Sequence, residues 1–475
     1  MSEVLHFGAS GNGETDDTKA IQHAIHDGDG PIVFARGDYR ITKTIEIDLD
    51  KASRIGIDGS LGTAKVIMEG PGPAFRFVGT HGGTADPKSF KPNVWQKQRF
   101  PVIQNIEITG THPQAVGIEL VGTMQASLVG VLLRDLHHGI HLVKRNRNVL
   151  INGCQIYHNT GAGIFCDALN LHQINITGNH ISYNRLGGIR IVGSEIRNLQ
   201  ITGNDIEYNN YRSHKEAKPD EPTAEILIDC RGQVDQSPRP SVREFTIASN
   251  TIQATHSPGG ANIRILGPDP TGELPPGMAA ISGNVIGNQA INVHLQSCRG
   301  IALSGNFIYS GWQHNLLAEH CDDLSITGNT FGHNSWRSDH EWQTNIQLAD
   351  STDCVLSGLQ VRGAPSGTST WEADWSDGAI TEHDALIELL RCRRISLSGC
   401  HIRDATPNAI LLDTCQAINI SGCQIHDTRN SIQMMHAVLG RQKNTAIAMS
   451  ANIIGACTKE TISCQGVVRD ATIAP

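Results

Sequence analysis

Apolar and polar residues alternate with period two through most of the chain, in short runs separated by turn formers. Gly-Ile-His-Leu at 139–142, Gly-Ile-Arg-Ile at 188–191, Asn-Ile-Arg-Ile at 262–265, Asn-Val-His-Leu at 292–295 and Asn-Ile-Gln-Leu at 345–348 share this pattern. Period two predicts strands with one buried face, and helical 3.6 periodicity is absent through this region.

A second phrase precedes each of these by roughly a dozen residues. It reads Ile-Thr-Gly-Asn at 176–179, 201–204 and 326–329, Ile-Ser-Gly-Asn at 281–284, and Leu-Ser-Gly-Asn at 303–306. Looser copies are Ile-Ala-Ser-Asn at 247–250, Ile-Asn-Gly-Cys at 151–154, Leu-Ser-Gly-Cys at 397–400 and Ile-Ser-Gly-Cys at 420–423. Neighbouring copies lie mostly 22–25 residues apart. A unit of short strands and tight turns, repeated about a dozen times, predicts an all-β solenoid whose coils bury their apolar faces on one another. The Asn after Gly suits a turn that needs the left-handed region, and stacked Asn side chains can bond along the column.

The repeat changes the domain estimate. A length of 475 residues would suggest about three domains. The repeat predicts one parallel β-helix domain over 1–475, with a cap and first strands over 1–50, repeating coils over 51–440, and a last coil and cap over 441–475. The 49 glycines then mark turns, and the 5% of aromatics reflects coils filled by Ile, Leu and Val. Of twelve cysteines, seven fall at equivalent repeat positions: Cys154, Cys400 and Cys423 in the Asn column, and Cys298, Cys321, Cys392 and Cys415 just before a strand. They read as small buried packing residues with free thiols, not as a disulfide framework or a zinc site.

Near the N-terminus, residues 7–22 read Phe-Gly-Ala-Ser-Gly-Asn-Gly-Glu-Thr-Asp-Asp-Thr-Lys-Ala-Ile-Gln, and residues 37–41 read Gly-Asp-Tyr-Arg-Ile. With the repeat, these segments resemble the right-handed parallel β-helix proteins of the pectate-lyase-like superfamily. Asp16 and Asp17 precede a short amphipathic helix that they could cap and that would close the open end of the solenoid. The resemblance implies that the Gly-Asn phrase is the tight turn and that Gly-Ile-x-Ile is the strand named PB1. It also implies a saccharide bound along the outer surface of PB1. The insertions, roughly 79–100, 209–223, 231–240, 267–277, 335–343 and 363–384, all flank PB1, and none falls at the Asn turn. Loops on a rigid scaffold are where function concentrates.

Period two gives the outward PB1 residues. The first position reads Glu119, His141, Phe165, Arg190, Leu227, Arg264, His294, Leu317, Gln347 and Glu388. The next reads Val121, Val143, Asp167, Val192, Asp229, Leu266, Gln296, Glu319 and Ala349. Isolated charges among apolar neighbours suit a cleft floor. Asp167 and Asp229, two coils apart, would lie roughly 9–10 Å apart with Arg190 on the coil between. Paired carboxyls near that separation can hydrolyse a glycosidic bond with inversion. The catalytic candidates are therefore Asp229, Asp167 and Arg190, against the alternative of a structural ion ladder. Substrate-contact candidates are His141, Tyr211, Arg212, His214, Lys215, Arg264 and His294, with Trp312, Trp336 and Trp342. Trp371 and Trp375 also fall in turns before PB1, and Trp95 lies in the first insertion. Such indoles either stack on sugar rings or lock long loops.

Three functions remain open from sequence. The first is a glycoside hydrolase using the Asp pair. The second is a lyase or epimerase acting on a uronic acid, using a base such as Arg190, His141 or Lys144, and Ca²⁺ in the lyase case. The third is a non-catalytic saccharide-binding β-helix. The well-known polygalacturonase motifs (Asn-Thr-Asp, Gly-His-Gly, Arg-Ile-Lys) do not occur at PB1, so no catalytic residue carries over from that family. No cofactor is otherwise implied, and the expected partner is a polysaccharide or oligosaccharide. A net charge of −9 without a long basic run argues against nucleic acid, and the lack of 18 consecutive apolar residues against a membrane span. A homo-oligomer remains open. The absence of a leader-like start suggests the cytoplasm if that start is native, and export if a leader was removed.

Overall fold

The computed structural model describes residues 2–83, 86–210, 222–232, 239–254, 257, 259–268, 274–333, 345–363, 383–465 and 467–470. The chain groups into two compact units, residues 1–211 with 224–246, and residues 212–223 with 247–475. Each is a stack of parallel β-coils. No described helix is long and apolar enough to cross a membrane.

In the first unit, PB1 is built from Ile45–Asp48, Gly72–Val78, Ala115–Met124, the starts of His138–Asn152 and Ala162–Thr177, then Gly187–Val192 and Ala224–Asp229. Each pairs in parallel with the next. The register is that of the repeat: Ile140 faces Ile164, and Ile164 faces Ile189. These isoleucines, with Leu142, Cys166 and Ile191 two residues on, are buried. A fully buried side chain of this size contributes roughly 1.5–3 kcal/mol, and every coil adds several. The second unit repeats the pattern through Ala261–Leu266, Ile291–Gln296, His314–Glu319, Ile346–Ala349, Ala385–Leu390, Asn408–Asp413 and His436–Arg441.

The tight turn differs from the sequence expectation in which residue takes the left-handed conformation. Gly178 (φ 63°) and Gly328 (φ 61°) do so, not the asparagines that follow them. The Asn side chain instead points inward and forms a ladder. Asn284 Nδ2 donates to Asn306 Oδ1, and Asn306 Nδ2 donates to Asn329 Oδ1, each at 2.9 Å. Backbone N–H groups of Asn284 and Asn306 donate to the same oxygens. The column therefore satisfies the buried polar groups of the turn. Where Cys replaces Asn, its N–H still donates to the next Asn, as Cys154 does to Asn179 and Cys423 to Asn452. All twelve cysteines are free thiols.

The N-terminal helix, Thr18–Asp27, buries Thr18, Ile21, Ala24 and Ile25. Asp16 accepts the Thr18 N–H, while Asp17 ties the Ser10 and Gly11 amides instead of the helix. Gly37–Ile41 is a strand, as its sequence predicts.

Candidate functional site

The PB1 register aligns Arg76, Glu119, His141, Phe165, Arg190 and Leu227 in one column of the first unit. Val121, Val143, Asp167, Val192 and Asp229 form the next. These are the columns that period two predicts. Asp167 and Asp229 are thus separated by two inter-strand steps, about 10 Å.

The two aspartates have different surroundings. Asp229 is 8% exposed and forms a bidentate pair with Arg231, at 3.0 Å to Nε and 2.9 Å to Nη2. It also accepts the Arg231 N–H. Both oxygens of this carboxylate are engaged by Arg231, so Asp229 is an anchor for the chain that leaves PB1. Arg231 stands two residues after Asp229, just past the end of the strand, where both its backbone N–H and its side chain reach back to the carboxylate.

Asp167 is the open one, its side chain 45% exposed. Its Oδ2 lies 3.3 Å from His141 Nε2, and His141 Nδ1 lies 3.2 Å from Glu119 Oε2. Glu119 in turn accepts from Arg76 Nε. The result is a chain of alternating charge along three coils and into a fourth: Arg76, Glu119, His141, Asp167. Burial works against a charged His141 ring, but hydrogen bonds and attraction from Asp167 and Glu119 outweigh it and raise its pKa to about 9. Burial alone would raise Glu119, yet His141 and Arg76 hold it below the usual carboxylate range.

Three residues before His141, His138 is in the opposite state. Burial, then the nearby His137, His141 and Arg190, lowers its pKa to about 3. Its Nδ1 accepts the Ala162 N–H at 2.9 Å, which fixes the neutral ring with the proton on Nε2. Phe165 stacks on His141, with centroids 5.4 Å apart and planes at 12°. The site thus offers an exposed carboxylate beside a protonated imidazole on an apolar strand face. Glu119 stands in the predicted column but was not singled out from sequence, because an isolated Glu on a strand carries no signal until Arg76 and His141 are known to flank it.

In the second unit, His294 Nε2 lies 3.1 Å from Glu319 Oε2, and Arg264 Nε donates to His294 Nδ1 at 3.1 Å. Arg264 is 6% exposed and also donates to the Thr223 and Gly259 carbonyls. It acts as a buried brace, which does not fit a substrate contact. Further along this column Glu388 is buried, accepting Gln347 Nε2 and the Asp384 and Ala385 N–H groups, with His383 Nδ1 at 3.5 Å.

Trp312 is 7% exposed, so its ring serves packing and its faces are not offered to a sugar. Trp95 is 45% exposed. Arg190 occupies its predicted place between the coils of Asp167 and Asp229. Tyr211, Arg212, His214, Lys215, Trp336, Trp342, Trp371 and Trp375 lie outside the described residues. Among the described residues, no three His, Cys, Asp or Glu side chains cluster so as to hold a metal ion.

The family described as a right handed beta helix region matches residues 94–215. The coil register makes the chain a parallel β-helix, and the matched stretch fits the right-handed form of that fold. Among solved structures it is similar to tailspike protein 3 of bacteriophage CBA120, at 13% identity and a TM-score of 0.46, covering 98% of this chain and 61% of that one. It is also similar to the A-module of the mannuronan C-5 epimerase AlgE4 of Azotobacter vinelandii, at 12% identity and a TM-score of 0.37, covering 99% and 100%. The Streptococcus pneumoniae surface protein and adhesin PfbA aligns at 13% identity and a TM-score of 0.44, covering 95% and 99%. The chain therefore spans less than two thirds of that tailspike's length. No curated protein sequence matches it.

Proposed function

We propose that the protein is a carbohydrate-active enzyme that hydrolyses glycosidic bonds of a saccharide lying along PB1 of the first unit. The observation that carries this reading is His141, held protonated between Glu119 and the exposed Asp167. Asp167, exposed and beside a cation, is suited to take a proton from water. The imidazolium, oriented by Glu119 and Arg76, holds the Asp167 carboxylate in place, and the departing sugar oxygen takes its proton from solvent. Asp229 is assigned to structure, because both its oxygens are engaged by Arg231.

In a lyase or epimerase reading, His141 would have to be neutral to take a carbon-bound proton. A His141 pKa of about 9 leaves that ring charged at neutral pH. The same charge would instead neutralise a substrate carboxylate. The test is turnover on a panel of neutral and acidic polysaccharides with wild type, Asp167→Asn and His141→Gln. Hydrolysis predicts new reducing ends without unsaturated uronate absorbance, reduced at least about a hundredfold in both variants. A panel on which nothing is cut sinks the enzyme reading.

A further inference from the structure

At the end of PB1, the insertion after Gly72–Val78 and the next strands line an open cleft of about 570 Å³. Its lining includes Phe90, Trp95, Met124, Arg147 and Asn148. Phe90 and Trp95 lie parallel, with planes at 4° and centroids 6.4 Å apart. Arg147 sits over Phe90 at 4.7 Å, and Arg99 over Trp95 at 4.9 Å.

The cations here form a register. Arg99 bridges to Met124, Met124 pairs with Arg147, Arg147 with His172, and His172 with Arg197. At about 4.8 Å per coil this line is roughly 19 Å long and carries guanidinium groups at Arg99, Arg147 and Arg197, with Met124 and His172, whose pKa burial lowers, between them. Behind it are donors with nothing to bond. Among the described residues, His81 Nε2 and Arg145 Nε and Nη2 are buried without a hydrogen-bond partner. His81 is 4% exposed and its ring lies 5.4 Å from Phe90. Burial, then Arg145 and Arg147, lowers its pKa to about 4. Opposing charge is confined, among the described residues, to Glu195, which acts on Arg145 and lies 3.9 Å from Arg197, and Glu244, which acts on His172. A structural ladder would alternate signs, as the Arg76–Glu119–His141–Asp167 chain does. This one has guanidinium groups at alternate positions beside an exposed indole.

We propose that this cleft is a second saccharide site, selective for sugars that carry an anionic group, a carboxylate or a sulfate ester. The guanidinium line takes the anions and Trp95 takes the apolar face of a ring. Choosing a saccharide over other polyanions rests on the function proposed above.

The test uses the full chain labelled with 5-fluorotryptophan, with the Trp95 resonance assigned by Trp95→Phe. An oligogalacturonate, a sulfated neutral oligosaccharide and an unsulfated neutral oligosaccharide are titrated in turn. The proposal expects the Trp95 resonance to move with one or both acidic probes and not with the neutral one. Which acidic probe binds more tightly distinguishes carboxylate from sulfate. Arg147→Gln and the more exposed Arg99→Gln should each weaken binding at least tenfold, so that one folding failure leaves the other readable. Asp167→Asn should leave this titration unchanged, so loss of turnover at PB1 and loss of binding here are scored separately. No shift with either acidic probe, or an equal shift with the neutral one, overturns the proposal. An equal or tighter response to single-stranded DNA of matched charge also overturns it, in favour of nucleic acid.

Discussion

His141 Nε2 and Asp167 Oδ2 face each other at 3.3 Å across adjacent coils, and the second nitrogen of the same ring is held by Glu119. A ring that donates both N–H groups to carboxylates stays protonated well past neutrality. Its pKa, about 9 in the folded chain against 6.5 for an unperturbed ring, fixes the sign of a pH effect. The stabilisation is fully present below about 6.5 and is lost as pH rises through about 9. The His141 ring proton resonances should therefore titrate near 9. Glu119→Gln, which removes one of the two anions, should lower that midpoint by at least one unit. A His141 midpoint near 6.5 in wild type would contradict the charge chain.

Asp229 and Asp167 are predicted to separate on mutation. Asp229→Asn breaks the bidentate pair with Arg231 and should lower stability by about 1.5–3 kcal/mol in denaturant unfolding, the range for a hydrogen bond to a charged group. Its turnover should stay within about fivefold of wild type, since its carboxylate has no acid–base task in this account. Equal collapse of turnover in Asp229→Asn and Asp167→Asn would restore the paired-aspartate mechanism.

The Asn ladder makes a stability prediction. Asn306 is 2% exposed, donates to the Ile281 carbonyl and Asn329, and accepts from Asn284. Asn306→Ala leaves several buried groups without partners and should cost about 3 kcal/mol, read as a lower denaturant midpoint. A change below about 0.5 kcal/mol would show that the ladder is not a major support.

A second Asn ladder ends on a carboxyl. Asn184 donates to Asn209, and Asn209 donates through both its side chain and its backbone to Glu225 Oε2. Glu225 is fully buried, and burial raises its pKa well above 4.5. The acid is thus protonated in the fold and ionised when unfolded. Stability should fall above pH ~4.5, by up to about 1.4 kcal/mol per pH unit, until the folded pKa is reached. Glu225→Gln should flatten this slope and unfold at a higher denaturant concentration at pH 8. An unchanged pH profile would contradict a protonated Glu225.

The strands were legible because period two reports directly which residues are buried. Ile140, Ile164 and Ile189 are where that pattern puts them, and both outward PB1 columns follow from it. The turn was read less well. Gly-Asn marks its position, but only the backbone shows that Gly178 bends the chain while Asn179 faces the core. The site was legible as a set of columns and not as a set of partners. Asp229 looked catalytic until Arg231, two residues on, was seen to hold it. Glu119 acquired meaning only through neighbours 43 and 22 residues away in sequence. The cleft beneath Trp95 combines an insertion with four coils, and no local pattern announces such a juxtaposition.

The most direct test of the central claim is digestion of the saccharide panel in ¹⁸O-labelled water, followed by mass spectrometry of the products. The account predicts one ¹⁸O at each new reducing end with wild type, and at least about a hundredfold less product with Asp167→Asn. Unsaturated products without ¹⁸O, or full activity in Asp167→Asn, would contradict it.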